Sequence, residues 1–347
     1  YFAYHYGLTM TNQRFAKLFG HPRREPESQM EEFHWDMAAS VQKVTEEIVL
    51  RIVRDLHERT GLPNLCMAGG VALNCVANGR IIRESPFEQL WVQPAAGDAG
   101  GALGAALFVE NCVLDRPRKL RMDHAYWGPC YSDQEIQRFL DDRGAPYQTL
   151  PRDAMIAETA RRLDEEQAVV GWFQGRLEWG PRSLGSRSIL ADARNQENWK
   201  RVNLKIKFRE SFRPFAPAVL ADKASDWFEI DRESPYMLLV CQVREGREIP
   251  AVTHVDGSAR LQTATRDTHP EFYDLLARFD QRTGCPVLIN TSFNVRGEPI
   301  VCTPEDAYLC FMRTNMDVLV MGNQILDKRD QPELVEDFDW RERYELD

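Results

Sequence analysis

Apolar residues recur at helical spacing between 37 and 59 (Val41, Val44, Ile48, Ile52, Val53, Leu56), and Gly61-Leu62-Pro63 stops the run, so a helix is predicted there. Short apolar runs at 64–67 and 90–93 predict strands. Each strand hands a glycine-rich turn to a helical stretch: Gly69-Gly70-Val71-Ala72-Leu73-Asn74 leads towards Arg83, and Ala96-Gly97-Asp98-Ala99-Gly100-Gly101 opens a second helix. Charges and prolines then break the pattern from 111 to 131. Helical spacing resumes at 132–143 and 155–165, and strands follow at 168–173 and from Val287. Strands alternating with helices predict an α/β chain of about two domains.

The polar residues that end these strands are poor core material. Val287-Leu288-Ile289 runs into Asn290, Thr291, Ser292, Asn294, Arg296 and Gly297, where every side chain needs a hydrogen-bond partner. Such a turn either caps its own strand or grips anionic oxygens. The segment 174–188 places Arg176, Arg182 and Arg187 among glycines, serines and a proline, in a loop rather than a helix or strand. From Lys205 to Phe215 cations alternate with apolar residues, which puts Lys207, Arg209 and Arg213 on one face. A turn at 254–257 presents Arg260. Lys205, Arg209 and Arg201 also fit a solvated face. Arg182, Arg187, Lys207, Arg213 and Arg260 sit where a buried cation needs an anionic partner, and phosphate suits arginine's planar fork. In the first half, both glycine turns present helix N–H groups that attract phosphate, or else simply let strand and helix pack closely. Asp98 could ligate a metal or cap a helix.

Composition narrows the classes. With 43% hydrophobic and 28% charged residues the chain is an ordinary globular one, and no apolar run approaches a membrane span. A net charge of −10 argues against a general nucleic-acid surface. The eight cysteines form no CxxC pair and read as reduced thiols, buried at Cys66, Cys241 and Cys310, which suits a cytoplasmic protein. The chain opens on a strand-like YFAYHYGL with no Met, and is expected to be the later part of something longer.

AGGVALNCVANGRI and QPAAGDAGGALGAAL resemble the NodU/CmcH family of O-carbamoyltransferases, as do GRLEWGPRSLGSRSILAD, KFRESFRPFAP, HVDGSARLQT and INTSFNVRGEP, in the family's order. The resemblance implies a partial actin/Hsp70/sugar-kinase-like domain at 1–125, a linker at 126–150, a YrdC-like domain at 151–330 and a tail at 331–347. It implies ATP, with Mg2+, and carbamoyl phosphate as substrates, carbamoyl adenylate as intermediate, and a small-molecule hydroxyl as acceptor (an antibiotic, another natural product or a nodulation-type oligosaccharide). In that scheme Arg182, Arg213 and Arg260 clamp carbamoyl phosphate beside Ser292, and Lys207 sits on the ATP phosphates. Gly69, Gly70, Asn74, Gly100, Gly101, Arg187, Arg209, Thr291, Asn294 and Arg296 contribute to nucleotide binding. Asp98 matches the last acid of the family's iron- or zinc-type metal site. The family's HxxxH pair has no counterpart among these seven histidines, so the expected N-terminal lobe is missing and an association with it, or with a second copy, is anticipated. Three other readings remain: a threonylcarbamoyl-adenylate synthase of tRNA modification, a small-molecule kinase, and a non-catalytic nucleotide-binding fragment. Trp172, Trp179 and Tyr126 either stack on a ligand ring or belong to the core.

Overall fold

The computed structural model describes residues 2, 9–25, 28–207, 214–337 and 340. The opening YFAYHYGL segment, Phe2 apart, lies outside them, as do Arg209 and Arg213. No helix among the described residues is long and apolar enough to cross a membrane.

The first part of the chain builds a small layer. Helix α1 (Gln13–Phe19) precedes the long α2 (Glu32–Thr60), which ends where Gly61 takes the left-handed conformation. Then come β1 (Asn64–Met67), α3 (Cys75–Glu84), β2 (Gln89–Val92) and α4 (Gly100–Phe108). Strands β1 and β2 pair in parallel with α3 as the crossover. Helix α2 buries Val49, Leu50 and Val53 in the cluster that holds Ile81 of α3, and Glu46 pairs with Arg80 at 2.8 Å. The apolar positions that predicted this helix lie mostly on its other side: Val41, Val44, Ile48, Ile52 and Leu56 are exposed, and no residue of α4 is buried. Periodicity locates a helix, but with two apolar stripes it does not say which one packs.

The second part is a mixed nine-stranded sheet with helices on it, the α/β class the alternation predicts. In chain order it comprises α5 (Asp133–Arg143), β3 (Gln148–Thr149), α6 (Arg152–Glu165), β4 (Val170–Phe173), β5 (Arg187–Asp192), α7 (Gln196–Lys205), β6 (Ala216–Leu220) and α8 (Ala224–Trp227). It continues with β7 (Leu239–Gln242), β8 (Ser258–Ala264), α9 (Pro270–Thr283), β9 (Val287–Ser292), α10 (Pro304–Arg313), β10 (Val318–Met321) and β11 (Gln324–Asp327). The strand order is β3-β11-β10-β4-β5-β9-β6-β8-β7, with β10/β4 and β6/β8 parallel and the other neighbours antiparallel. One core of fully buried Trp172, Phe173, Phe228, Phe272, Phe279 and Phe311 runs through it.

Several expectations are corrected here. Part of the 126–150 stretch expected as a linker belongs to this sheet layer, because Ile136, Leu140 and Ala145 join its core and β3 pairs with β11. The arginine loop ends earlier than expected: Arg187 and Ser188 open β5. Lys205 closes a helix rather than beginning an alternating strand. Cys66 is exposed, while Cys241 and Cys310 are buried as expected.

The two parts meet where α3 covers the sheet's edge strand β7. Asn78 Nδ2 donates to Leu238 O at 3.1 Å, and Arg83 Nη1 donates to Val240 O at 3.2 Å. Gly79 makes the contact possible, since a Cβ there would stand 2.7 Å from Val240 O. Edge carbonyls that would otherwise stay unpaired are thus satisfied by a helix.

Candidate functional site

Strands β8, β6 and β9 lie side by side, with Ala218 opposite Gln262 and Ala216 opposite Asn290. The small alanines of the middle strand let the flanking amides meet: Asn290 Nδ2 donates to Gln262 Oε1 at 2.6 Å, and Gln262 Nε2 donates to Leu184 O at 2.8 Å. Two residues from Gln262 on the same face comes Arg260, and two from Asn290 comes Ser292. The loop before β5 adds Arg182 and Ser183, and the start of α3 adds Cys75 and Val76. Together with Thr291 and His254 these residues line a cavity of about 400 Å³ at the junction of the two parts. The α3–β7 docking is what brings Cys75 over residues of the large sheet.

The loop that carries Arg182 is held from inside by Glu178. One of its oxygens accepts from the backbone N–H groups of Leu184 (2.7 Å), Ser186 (2.8 Å) and Arg187 (3.2 Å), and burial raises its pKa. The sequence reading, occupied with the arginines, missed this carboxylate; a glutamate between Leu177 and Trp179 in a glycine-proline loop was the available signal.

Most arginines around the sheet are paired. Arg194 meets Asp164 at 2.8 Å and also holds Asp192, Arg162 meets Asp327 at 2.7 Å, and Arg201 binds Asp317. Arg182 and Arg260 have no carboxylate partner among the described residues. Burial, with Arg260 as a like-charged neighbour, pushes Arg182 well below the ordinary arginine range, down to about 10. Burial also lowers Arg260, against the Cys75 thiol that meets its guanidinium. Two desolvated cations facing one cavity are unfavourable by themselves, so the arrangement is suited to an anion.

The other expected residues are placed differently. Arg187 is fully buried, and its guanidinium donates to the carbonyls of Gln174 (2.9 Å), Ser186 (3.1 Å), Gly175 (3.3 Å) and Pro129 (3.4 Å) while lying 3.5 Å from the Phe173 ring centre. Backbone carbonyls and a ring take up its two terminal nitrogens, while Nε has no hydrogen-bond partner among the described residues. Lys207 is 3% exposed, and its ammonium donates to Ser292 O, Ser292 Oγ (3.1 Å), Asn294 O (2.9 Å) and Asn294 Oδ1 (2.6 Å). It thereby pins the turn after β9, where Asn294 Nδ2 donates to Glu298 O at 2.6 Å. Arg296, in the same turn, is not among the residues lining the cavity. Trp172 is core.

Gly69, Gly70, Gly100 and Gly101 of the first part are not among the residues lining this cavity. Gly69 N–H donates to Ala96 O, Gly100 N–H to Gly97 O and Gly101 N–H to Asp98 O, so the loops brace each other and themselves. Gly69 and Gly70 are exposed, whereas Gly100 is required by packing, its would-be Cβ falling 2.1 Å from Ala95 O. Asn74 caps α3 by accepting from Ala77 N–H at 3.1 Å. Asp98 is exposed, and no group of three or more His, Cys, Asp or Glu among the described residues could hold a metal ion. The residues described do not fit a metal centre.

A second cavity, of about 440 Å³, is lined by His124, Tyr126, Trp127, Arg176, Ser186 and His269. Ser186 Oγ lies 3.0 Å from His269 Nε2, and Glu271 lies 3.8 Å from Nδ1, a hydrolase-like trio. Its polarity is wrong for a nucleophile. Nδ1 accepts from Phe272 N–H at 3.3 Å, so the neutral ring carries its proton on Nε2 and donates towards the serine. Burial keeps that ring neutral down to about pH 4. His269 is a helix cap.

Family models match both parts: Carbamoyltransferase N-terminus over residues 1–107 and Carbamoyltransferase C-terminus over residues 160–328. Among relatives, an uncharacterised protein of Synechocystis, sll1178, is 52% identical over all of this chain and 61% of its own length. Nodulation protein NolO of Bradyrhizobium diazoefficiens is 45% identical over 85% of this chain and 55% of its own. The 3'-hydroxymethylcephem-O-carbamoyltransferase of Streptomyces clavuligerus is 36% identical over 77% of this chain and 49% of its own. The chain thus spans about half the length of the relatives it matches.

Proposed function

The chain belongs to the carbamoyltransferase family, and from that premise we propose that it activates carbamoyl phosphate with ATP for transfer to a hydroxyl of a small molecule. The observation that carries the proposal is the pair Arg182 and Arg260, two cations without carboxylate partners among the described residues that face one cavity.

Carbamoyl phosphate and water give carbamate and phosphate. A carbamate oxygen then attacks the α-phosphorus of ATP, the bond to the β-phosphate oxygen breaks, and carbamoyl adenylate and pyrophosphate form. Charge builds on non-bridging oxygens in both steps, and cations already in place stabilise it without reorganising. Arg182 and Arg260 bind the dianion. Arg213, expected in the same clamp, lies outside the described residues. Lys207 acts by fixing Ser292 and Asn294 at the cavity's edge, rather than by reaching phosphate itself. The acceptor hydroxyl finally attacks the carbamoyl carbon and AMP leaves; that step is assigned to the first part of the chain, and none of it is routed through a metal.

The test is pyrophosphate release from ATP with carbamoyl phosphate, in the wild type and in Arg260→Met. Release that requires both substrates and is lost in the variant is expected. Release that ignores carbamoyl phosphate, or survives in Arg260→Met, overturns the reading.

A further inference from the structure

The cavity holds more than cations. Ser183 and Asn290 are 3% and 1% exposed, both line it, and neither Ser183 Oγ nor Asn290 Oδ1 has a hydrogen-bond partner among the described residues. A hydroxyl can turn to donate or accept, so Ser183 discriminates little. The Asn290 amide cannot turn. Its Nδ2 donates to Gln262 Oε1 at 2.6 Å and to Ser183 O at 3.3 Å, and Gln262 is oriented in turn by donating to Leu184 O at 2.8 Å. Flipping Asn290 would set one carbonyl oxygen against another.

Oδ1 is therefore held as a pure acceptor on a residue that lines the same cavity as Arg182 and Arg260, two cations without carboxylate partners among the described residues. Inorganic phosphate in its dianionic form mainly offers acceptors: it answers Arg182 and Arg260 but leaves Oδ1 largely unanswered. A buried acceptor left without a donor disfavours the bound state. The ligand that answers every group carries an anionic oxygen and an N–H donor a few bonds apart.

We propose that Asn290 Oδ1 accepts a hydrogen bond from the carbamoyl N–H of the substrate, and so selects carbamoyl phosphate over other acyl phosphates and over phosphate itself. The inference rests on the carbamoyl-phosphate reading above and adds to it a specificity residue. Asn290 takes no proton and forms no bond to the reacting carbon.

Two stable phosphonates separate the possibilities by calorimetry: phosphonoacetamide, with an NH2 group, and 2-oxopropylphosphonate, its methyl isostere of equal charge. In the wild type the amide is expected to bind about tenfold more tightly than the ketone. In Asn290→Ala that ratio should fall to about one, with the ketone's affinity retained. Equal affinities in the wild type, a measurement that needs no variant to fold, overturn the role of Asn290 while the anion site stands. An undiminished ratio in Asn290→Ala does the same. Failure of both phosphonates to bind the wild type overturns the anion site and this inference together.

Discussion

Replacing Arg182 with methionine should make the protein more stable and its cavity useless. The guanidinium has no carboxylate partner among the described residues, and burial beside Arg260 pushes it well below the ordinary arginine range, to about 10. At about 1.36 kcal/mol per pK unit, that depression is a ceiling of about 3 kcal/mol on what the folded state loses by keeping the charge. The sign follows from linkage. Below pH 10 the group is protonated in both the folded and unfolded chain, so the full penalty is present at pH 7, and it fades as pH rises above 10 towards the ordinary arginine range. Methionine keeps the aliphatic stem's packing and removes the charge. A gain of about 1–3 kcal/mol is expected after relaxation, read as a higher urea midpoint at pH 7 without phosphate. Added phosphate should close the gap. At a hundred times its Kd it stabilises the wild type by about 2.7 kcal/mol, and it should do little for Arg182→Met. A lower midpoint for Arg182→Met without phosphate would show that the guanidinium is already paired, and an equal phosphate response in both proteins would show that it does not bind the anion.

Arg187, five residues on, is likewise held down to about 10 by burial, yet it should behave oppositely because its guanidinium is hydrogen-bonded: Arg187→Met strands the carbonyls of Gln174, Gly175, Ser186 and Pro129, and about 3–5 kcal/mol of stability should go with it, whereas an unchanged urea midpoint would contradict the structural role. His269, held from 6.5 down to about 4 by burial, contributes stability that is complete above pH 6.5 and lost as pH falls from there towards 4, about 3 kcal/mol in all. His269→Gln should therefore flatten the dependence of the urea midpoint over that window, and an equally steep slope would assign the acid lability elsewhere. Gly79→Ala should push α3 off β7 at a cost of about 1–3 kcal/mol and speed hydrogen exchange and proteolysis of the first part; unaltered protection would mean that the two parts do not depend on this contact.

Much of the fold was legible because its signals are local. The strands at 64–67, at 90–93 and from Val287, and the helices before and after them, follow from apolar spacing and glycine stops within a few residues. The site was legible only as a set of residue types. Arg182, Arg260, Thr291 and Ser292 do line one cavity. Lys207 and Arg187 carry the same charge in the same kind of neighbourhood, yet each is bound to its own protein's oxygens. Cys75, Ser183 and Gln262 drew no attention as site residues, and Asn290 drew it only as one polar member of the turn after Ile289, because a thiol, a hydroxyl and two amides acquire meaning only from what stands opposite them.

The sequence by itself determined where several of the strands and helices lie, that the chain is α/β, and that a cluster of cations breaks an acidic protein. Only the tertiary structure decided which cations face the cavity. Arg182 lies in the loop and Arg187 opens the strand that follows it, five residues apart in a stretch whose local spacing does not separate their roles. The carbonyls that occupy Arg187 come from residues 129, 174, 175 and 186, while the cavity facing Arg182 is closed by residues 75, 260 and 290. Hydrogen-bond partners of that kind are set by which strands lie side by side and by a helix covering an edge strand, and such proximities leave no trace in local spacing.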